Sequence, residues 1–440
     1  MKFIGSKRDS KQVKTTNTSK IRSLKKKANP RKSKMSRKKK ILITVCSVLG
    51  LLIVLGASAF AVVRWQVEPF YSLFFRPTTS VLAQPRARTA PVYREVITYD
   101  EDGNEVIVME LVEEEVENTR NEDIFTFLIL GDDLHGNTDA IMVMAFDTTD
   151  HTIEVVNIPR DTIVNVSWNL RKVNSIRANM FQRYRNESNT EEVAMQATLE
   201  QFGNLLGFVP DFWITVNMRT LPRLIDAIGG VEYNVPRRIS YEQFTVSGGL
   251  QTLNGRQALH ILRYRGFASG DIGRMNTHQT FLEAAAAQIL ANRESIEITT
   301  LAEIFLTHVR TNIQLNHLVW FGREFLQMDS DNINFSTMPG VFESIRGNFY
   351  ISVLLDEWLE MINTRLNPNE LDVTRETVSI LTRNENGELF VTDGNWAGSD
   401  TWGANSRAPQ RTTSQTERYT GSTDQAQDPD NTPEDIPVDD

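Results

Sequence analysis

The sequence predicts an α/β or α+β sandwich, with helices laid over a β-sheet. Three apolar runs, Phe125–Leu130, Ala140–Phe146 and Thr152–Ile158, are short, rich in β-branched or large side chains and bounded by Gly, Asn and Asp, as buried strands are. Beyond position 190, apolar stripes at helical spacing alternate with further β-rich runs. At 440 residues the chain is long enough for two or three domains and at least one sizeable core.

From the N-terminus, residues 1–40 read as a basic, disordered, cytoplasmic arm. They hold 17 of the chain's 47 Lys and Arg but one acid, Asp9, so the remainder is strongly acidic. Such an arm could bind nucleic acid. Its position points to a membrane instead, because an uncharged run follows at once from Ile41 to Val63. As a helix those residues extend roughly 35 Å, enough to span the hydrocarbon core. Arg64 and Trp65 then mark the far interface. The positive-inside bias places the arm in the cytoplasm and everything after Arg64 outside the cell, on a single-pass anchor. A cleaved signal peptide is the competing reading, with Ala57-Ser58-Ala59 as its cleavage site, but the apolar run and the arm before it are both long for one. Cys46 is the single cysteine, so no intramolecular disulfide forms, and a metal site would use oxygen ligands or histidine.

Residues 64–122 form a membrane-proximal segment. Val67–Pro85 is aromatic and then Pro-containing, and two β-rich runs flanking Asp102-Gly103-Asn104 predict an accessory β-hairpin with an acidic end.

The main domain is expected over 123–395. The break Asp147–His151 is short enough for a hairpin, so the chain runs up, back and up again. The loop Gly131–Asp139 and the end of the third strand then share one sheet edge, where Asp132, Asp133, Asp139, Arg160 and Asp161 cluster. Carboxylates beside an arginine suit a metal ion and a phosphorylated ligand. The plain alternative is a solvated loop with one surface ion pair. Thr190 reads as a helix cap, with Glu191 and Glu192 in the first turn, an apolar stripe at Leu199, Phe202 and Leu206, and Gly207 as terminator. Phe212–Val216 reads as a strand, Leu221–Ile228 as a helix stopped by Gly229-Gly230, and Val231–Val235 as a strand. Asn254 caps a short helix through His260. Arg263 and Arg265, two apart, share a face if the chain is extended there. Asp271 and Arg274 are placed in a loop before a long helix ending at Ala291, whose alanines at 284–287 allow close approach. These charges suit an anionic ligand, or arginines paired internally with Asp271. Leu301–Val309, His317–Met328 and Ile351–Ile362 read as helices, and Thr377–Leu381 and Leu389–Thr392 as closing strands. Residues 396–440 read as an acidic, disordered tail.

Seven segments in order carry a resemblance: FLILGDD at 127–133, TDAIMVM at 138–144, NIPRDT at 157–162, KVN at 172–174, IDAIGGVEYNVP at 225–236, LNGRQALHILRYR at 253–265 and DIGR at 271–274. Together they resemble the LytR–CpsA–Psr family of bacterial cell-envelope proteins, over roughly 125–290. The resemblance implies a central mixed β-sheet sandwiched by helices, preceded by one transmembrane helix and a small hairpin segment. It implies a magnesium-assisted phosphotransferase that moves a glycopolymer phosphate from a polyprenyl-pyrophosphate carrier to peptidoglycan or a related wall acceptor, with an apolar tunnel for the prenyl chain. Asp133 and Asp139 would hold the metal. Arg160, Arg263, Arg265 and Arg274, with Lys172 and Gln279, would bind the pyrophosphate. Asp161 would orient an arginine, and Asp271 would orient Arg274 or act as base, so Arg160, Asp161 and Asp271 form the expected catalytic set.

The chain departs from the family pattern at Thr277-His278, where members usually carry Arg-Gln, while Gln279 keeps one amide. His135 and Asn137 stand where members often carry arginine. His278 reads as a substitute donor or as an ordinary helix residue. The competing functions are an envelope protein that binds polyprenyl-phosphate lipid without turnover, and a transcriptional attenuator. No DNA-reading helix is recognisable, so no nucleic-acid partner is expected.

Overall fold

The three apolar runs lie side by side at the centre of the fold. In this computed structural model the described residues are 75–398, apart from 87, 100–103, 133–137, 242–243, 265 and 267–270, together with 418–419. The basic arm, the Ile41–Val63 span and nearly all of the tail therefore lie outside them. No described helix is long and apolar enough to cross a membrane.

The hairpin expected around Asp102-Gly103-Asn104 forms from β1 (Arg88–Tyr99) and β2 (Glu105–Val116), closing at the pair Tyr99–Glu105. It is a two-stranded sheet of its own. Tyr93, Ile97, Tyr99, Ile107 and Met109 are all more than half exposed on it. The central sheet begins with β3 (Ile124–Asp132), β4 (Thr138–Asp147) and β5 (Thr152–Asn157), which are antiparallel neighbours as expected.

Two helices, α1 (Ile176–Arg183) and α2 (Thr190–Leu206), then cross one face of the sheet before β6 (Phe212–Asn217) returns parallel to β3. Gly207 ends α2 with φ 78°, a left-handed conformation that costs a glycine least. Thr190 is the first helical residue and not the cap. Its hydroxyl instead closes the preceding turn on the carbonyls of Tyr184 and Glu187.

Next come α3 (Leu221–Ala227), β7 (Val231–Val235), β8 (Ile239–Tyr241), β9 (Phe244–Val246), β10 (Gly249–Leu253), α4 (Gly255–Leu262) and α5 (Asp271–Ala291). Their apolar side chains form a separate cluster around Ile225, Val231, Ile261 and Phe281. Asn254 caps α4 with a full capping box to Gln257.

The sheet is completed by β11 (Val309–Thr311) after α6 (Ile298–His308), and by β12 (Ile333–Thr337) after α7 (Leu315–Leu326). The strand order is β11-β6-β3-β4-β5-β12, with β3–β6 and β5–β12 parallel and the other pairs antiparallel. The sheet is thus mixed, in an α/β fold.

Both faces are buried. Leu128, Leu130, Ile141, Val143 and Val156 pack against Met180, Leu199 and Phe202 of α1 and α2. On the other face Phe321 of α7 meets Phe125, Phe127 and Phe212 edge-on, at 5.1–5.5 Å between ring centres. Such pairs add about 0.5–1.5 kcal/mol each beyond their area.

The chain then forms β13 (Gly340–Ile345), β14 (Asn348–Val353), α8 (Leu355–Met361), β15 (Leu381–Arg383), β16 (Leu389–Val391) and β17 (Arg418–Tyr419). The helix expected over Ile351–Ile362 begins later. Residues up to Val353 are strand, because they pair along β13 on one side while Ile351 bonds Asp161 and Ile163 on the other. The strand expected at Thr377–Leu381 starts instead at Leu381, after a 3-10 turn over Arg375–Thr377.

Candidate active site

Three strand ends and one helix start meet at one edge of the sheet. Between Gly131–Ala140 and Asp132–Thr138 the β3–β4 register shifts, leaving Asp139 as an extra residue in a bulge. Bulges bend a strand and re-aim its side chains. Gly131 allows the close approach, since a Cβ there would lie 3.0 Å from that of Ala140. By strand alternation Asp132 continues the face of Leu128 and Leu130, the side covered by α1 and α2, while the bulge sets the direction of Asp139.

Asp139 is the meeting point. Its Oδ1 accepts from Arg160 Nη1 at 2.7 Å, and its Oδ2 lies 3.5 Å from Arg274 Nη1. Arg160 follows β5 directly and stays a quarter exposed, whereas the Arg274 side chain is only 3 % exposed. Three segments distant in sequence are thus joined by one carboxylate. Arg274 lies in the first turn of α5, which starts at Asp271. The loop expected for Asp271 and Arg274 is helix, with Asp271 its first residue.

Among the described residues Asp161 pairs with a lysine rather than an arginine. It accepts from Lys172 Nζ at 2.8 Å, and the ammonium also stands 5.4 Å from the Tyr350 ring centre. Burial pushes the Tyr350 phenol above its usual range, Arg171 opposes that, and Asp161 adds to it. The loop between is fixed by backbone bonds: Val173 N–H to Thr162 O, Asn174 N–H to Arg160 O and Ile351 N–H to Asp161 O. The buried Asn165 fastens it further, donating to Ser379 and Asn395 and accepting from Ala397 N–H.

Arg263 ends α4 with helical dihedrals (φ −88°, ψ −11°), so the extended geometry expected for Arg263 and Arg265 does not hold at Arg263. The helix runs two residues past His260, and its last turn fixes Arg263. Asp133 and Arg265, like His135 and Asn137, lie outside the described residues. Gln279 is buried and its amide donates to Glu283 one turn on. No described contact joins it to Asp139, Arg160 or Arg274. Thr277 is buried and its hydroxyl donates back to Gly273 O.

His278 is fully packed, and its Nε2 donates to Leu262 O at 2.8 Å, tying α5 to the end of α4. Burial lowers its pKa to about 4; the Leu262 carbonyl and Asp139 pull upward and Arg274 downward. His278 is therefore neutral at pH 7 and does not replace a missing cation. Its folded pKa is below the value of about 6.5 in an unfolded chain. The unfolded state then takes up the proton first, so stability is full above pH 6.5 and falls between pH 6.5 and 4. We expect about 3 kcal/mol of stability to be lost across that window. In His278→Gln this contribution vanishes, so the difference between the two proteins' denaturant-unfolding free energies should change over pH 4–7. A constant difference would contradict the assignment.

Asp132, buried, pairs with Arg177 Nη1 of α1 at 3.0 Å. Sequence reading missed Arg177, because a lone arginine opening a short helix carries no spacing signal. Arg160, Arg177, Arg274 and Lys172 face Asp132, Asp139 and Asp161, an excess of positive charge among the described groups that suits a polyanion. No three described His, Cys, Asp or Glu side chains group into a metal cage. Asp139 nonetheless offers hard oxygen donors at the bulged edge, which fits an ion such as magnesium that takes one or two carboxylates and completes its shell with phosphate and water.

A sequence model of the LytR_cpsA_psr family matches residues 96–367. A Bacillus licheniformis protein named polyisoprenyl-teichoic acid–peptidoglycan teichoic acid transferase TagU is 25% identical over 296 residues, covering 66% of this chain and 83% of that protein. Its Bacillus subtilis namesake is 24% identical, covering 73% of this chain and 93% of that protein. The cell wall biosynthesis protein LcpA of Corynebacterium glutamicum is 27% identical, covering 50% of this chain and 46% of that protein. The crystal structure of B. subtilis TagV matches with a TM-score of 0.45 at 22% identity, covering 55% of this chain and 95% of that one.

Proposed function

The chain belongs to the LytR–CpsA–Psr family, and from that premise we propose that it is a membrane-anchored phosphotransferase. It moves a glycopolymer phosphate from a polyprenyl-pyrophosphate carrier to peptidoglycan or another wall acceptor. The observation that carries this reading is Asp139 held between Arg160 and Arg274, two guanidiniums from distant segments at one sheet edge. The names of the TagU relatives, which are teichoic acid transferases, support the substrate class.

In the proposed reaction the acceptor hydroxyl attacks the glycan-bearing phosphorus. The new P–O bond forms as the bond to the bridging oxygen of the pyrophosphate breaks, and polyprenyl phosphate leaves with that electron pair. The hydroxyl proton passes to Asp271 at the start of α5. Arg160 and Arg274 bind the phosphoryl oxygens, with Arg263 and Arg265 extending the cationic wall and Lys172 held in place by Asp161. Phosphoryl transfer needs chiefly positioning and charge neutralisation, which guanidiniums supply through bidentate bonds. Magnesium, held by Asp139 and Asp133, would neutralise further charge on the diphosphate. In this reading Ile41–Val63 is the anchor and the α/β domain faces the wall.

The full chain in detergent, given magnesium, a polyprenyl-pyrophosphate glycan and peptidoglycan, should release polyprenyl phosphate and transfer the glycan. Absence of both products overturns the proposal. The uncharged, buried Thr277 and His278 favour one second reading, a lipid-binding envelope protein without turnover. Tight lipid binding without products, unchanged by Asp133→Ala, would select it.

A further inference from the structure

Among the described charged groups at this edge, one with no role so far is Arg177, the second residue of α1. Its side chain is 13 % exposed, and that of its partner Asp132 is 7 % exposed. The guanidinium lies 4.8 Å from the ring centre of Phe181, one turn further along the same helix. Its Nε is buried and has no hydrogen-bond partner among the described residues.

Its location follows from the register. Asp132 ends β3 opposite Thr138, the neighbour of Asp139, and its carboxylate projects toward α1, where it meets Arg177. Residues directly opposed on paired strands stand roughly 4.5–5.5 Å apart. The turn Val173–Ser175 that leads into α1 packs on β4, and its Asn174 N–H donates to Arg160 O. Arg177 therefore stands beside the Asp139–Arg160–Arg274 group.

A buried ion pair gains little over a well-packed apolar pair, because both charges lose their hydration. Stability alone is a poor reason for this one among Ile176, Met180 and Phe181. A guanidinium carries five N–H donors in a fixed fork, and Asp132 engages one of its nitrogens. The Phe181 ring against the guanidinium restricts its freedom before a second anion arrives.

We propose that Arg177 is a further diphosphate-binding residue, held on Asp132 in the free protein and gripping a phosphoryl oxygen beside Arg160 and Arg274 when the donor binds. This rests on the phosphotransferase reading above and adds a residue to it.

The test is calorimetric titration of inorganic pyrophosphate into the full chain in detergent, with chelator present to remove metal. Arg177→Gln should raise Kd about 10- to 100-fold, the range for losing one charge-assisted hydrogen bond. Arg177→Lys should recover part of that loss, since it keeps the charge but not the fork. Asp132→Asn should tighten binding by about two- to tenfold, because it frees the guanidinium. A merely structural pair would instead make Asp132→Asn and Arg177→Gln move Kd in the same direction as their melting temperatures fall. Arg160→Gln is titrated in parallel. If it loses binding while both Arg177 variants stay within about twofold of wild type, the assignment of Arg177 falls and the site remains. If none of the three changes Kd, the diphosphate site falls with it. Should Arg177→Gln fail to fold, Arg177→Lys and Asp132→Asn decide.

Discussion

Replacing Arg160 with alanine should lower glycopolymer transfer by about 100- to 1000-fold in kcat, as the loss of one preorganised donor to a charged transition state does elsewhere. Arg160 donates to Asp139 at 2.7 Å and is more exposed than Arg274, the other described guanidinium on that carboxylate. Its side chain has room to turn toward a phosphoryl oxygen, whereas Arg274 is buried. Removing Arg160 leaves Asp139 paired with Arg274, so folding should change little. The measurement is the initial rate of polyprenyl phosphate release at saturating donor, with a melting curve on the same sample. An Arg160→Ala protein that keeps its melting temperature and more than half its rate would remove Arg160 from the reaction. Arg160→Lys should recover only part of the rate, because a point charge cannot reproduce the fork.

Asp211→Ala should cost about 3–5 kcal/mol of stability, as expected when one partner of a buried, hydrogen-bonded ion pair is removed. Its carboxylate is fully buried just before β6. One oxygen accepts from Arg120 at 2.5 Å and from the backbone and hydroxyl of Thr126 at 2.8 and 2.7 Å. The other accepts from Ala83 N–H at 2.8 Å. Burial pushes the Asp211 carboxyl up, and Arg120 with the bonds from Thr126 and Ala83 draws it back down. Alanine would strand the Arg120 guanidinium, which is 6 % exposed, and leave several donors unsatisfied. For a domain of this size each kcal/mol shifts the melting temperature by about 2–4 °C, so a fall of about 10 °C is expected. Thr126 lies near the start of β3 and Asp132 at its end, so this lock sits at the opposite end of the strand from the site. The kcat per folded molecule should therefore hold. A melting temperature within about 3 °C of wild type would contradict the reading.

Much of the sheet was legible because its signals are local. Phe125–Leu130, Ala140–Phe146 and Thr152–Ile158 are too short and too β-branched for helices, and the short Asp147–His151 break turned the third back along the second. Asn254, and Gly207 after its apolar stripe, marked helix ends because capping is decided within four residues. The failures have physical reasons as well. Ile351–Ile362 has enough apolar residues for either element, and pairing with β13 decided that its first part is strand. Asp271 and Arg274 looked like loop residues because a Gly sits between them, yet helix α5 absorbs that glycine. Asp161 meets Lys172 because the Ile163–Lys172 bridge brings them together, a pairing no local pattern announces.

The sequence by itself determined most of the strands and helices and that the first three strands run antiparallel, and it left the acids and arginines at their ends open between a shared site and a solvated loop. Those elements follow from hydrophobic periodicity and turn chemistry, which act over a few residues. Only the tertiary structure decided which charges pair: Asp139 with Arg160 and Arg274, Asp161 with Lys172, Asp132 with Arg177 and Asp211 with Arg120. A buried charge needs a partner within a few ångströms. Which partner stands there depends on a one-residue bulge in β4 and on how α1 and α5 lie against the sheet, and neither is written in the spacing of the residues themselves.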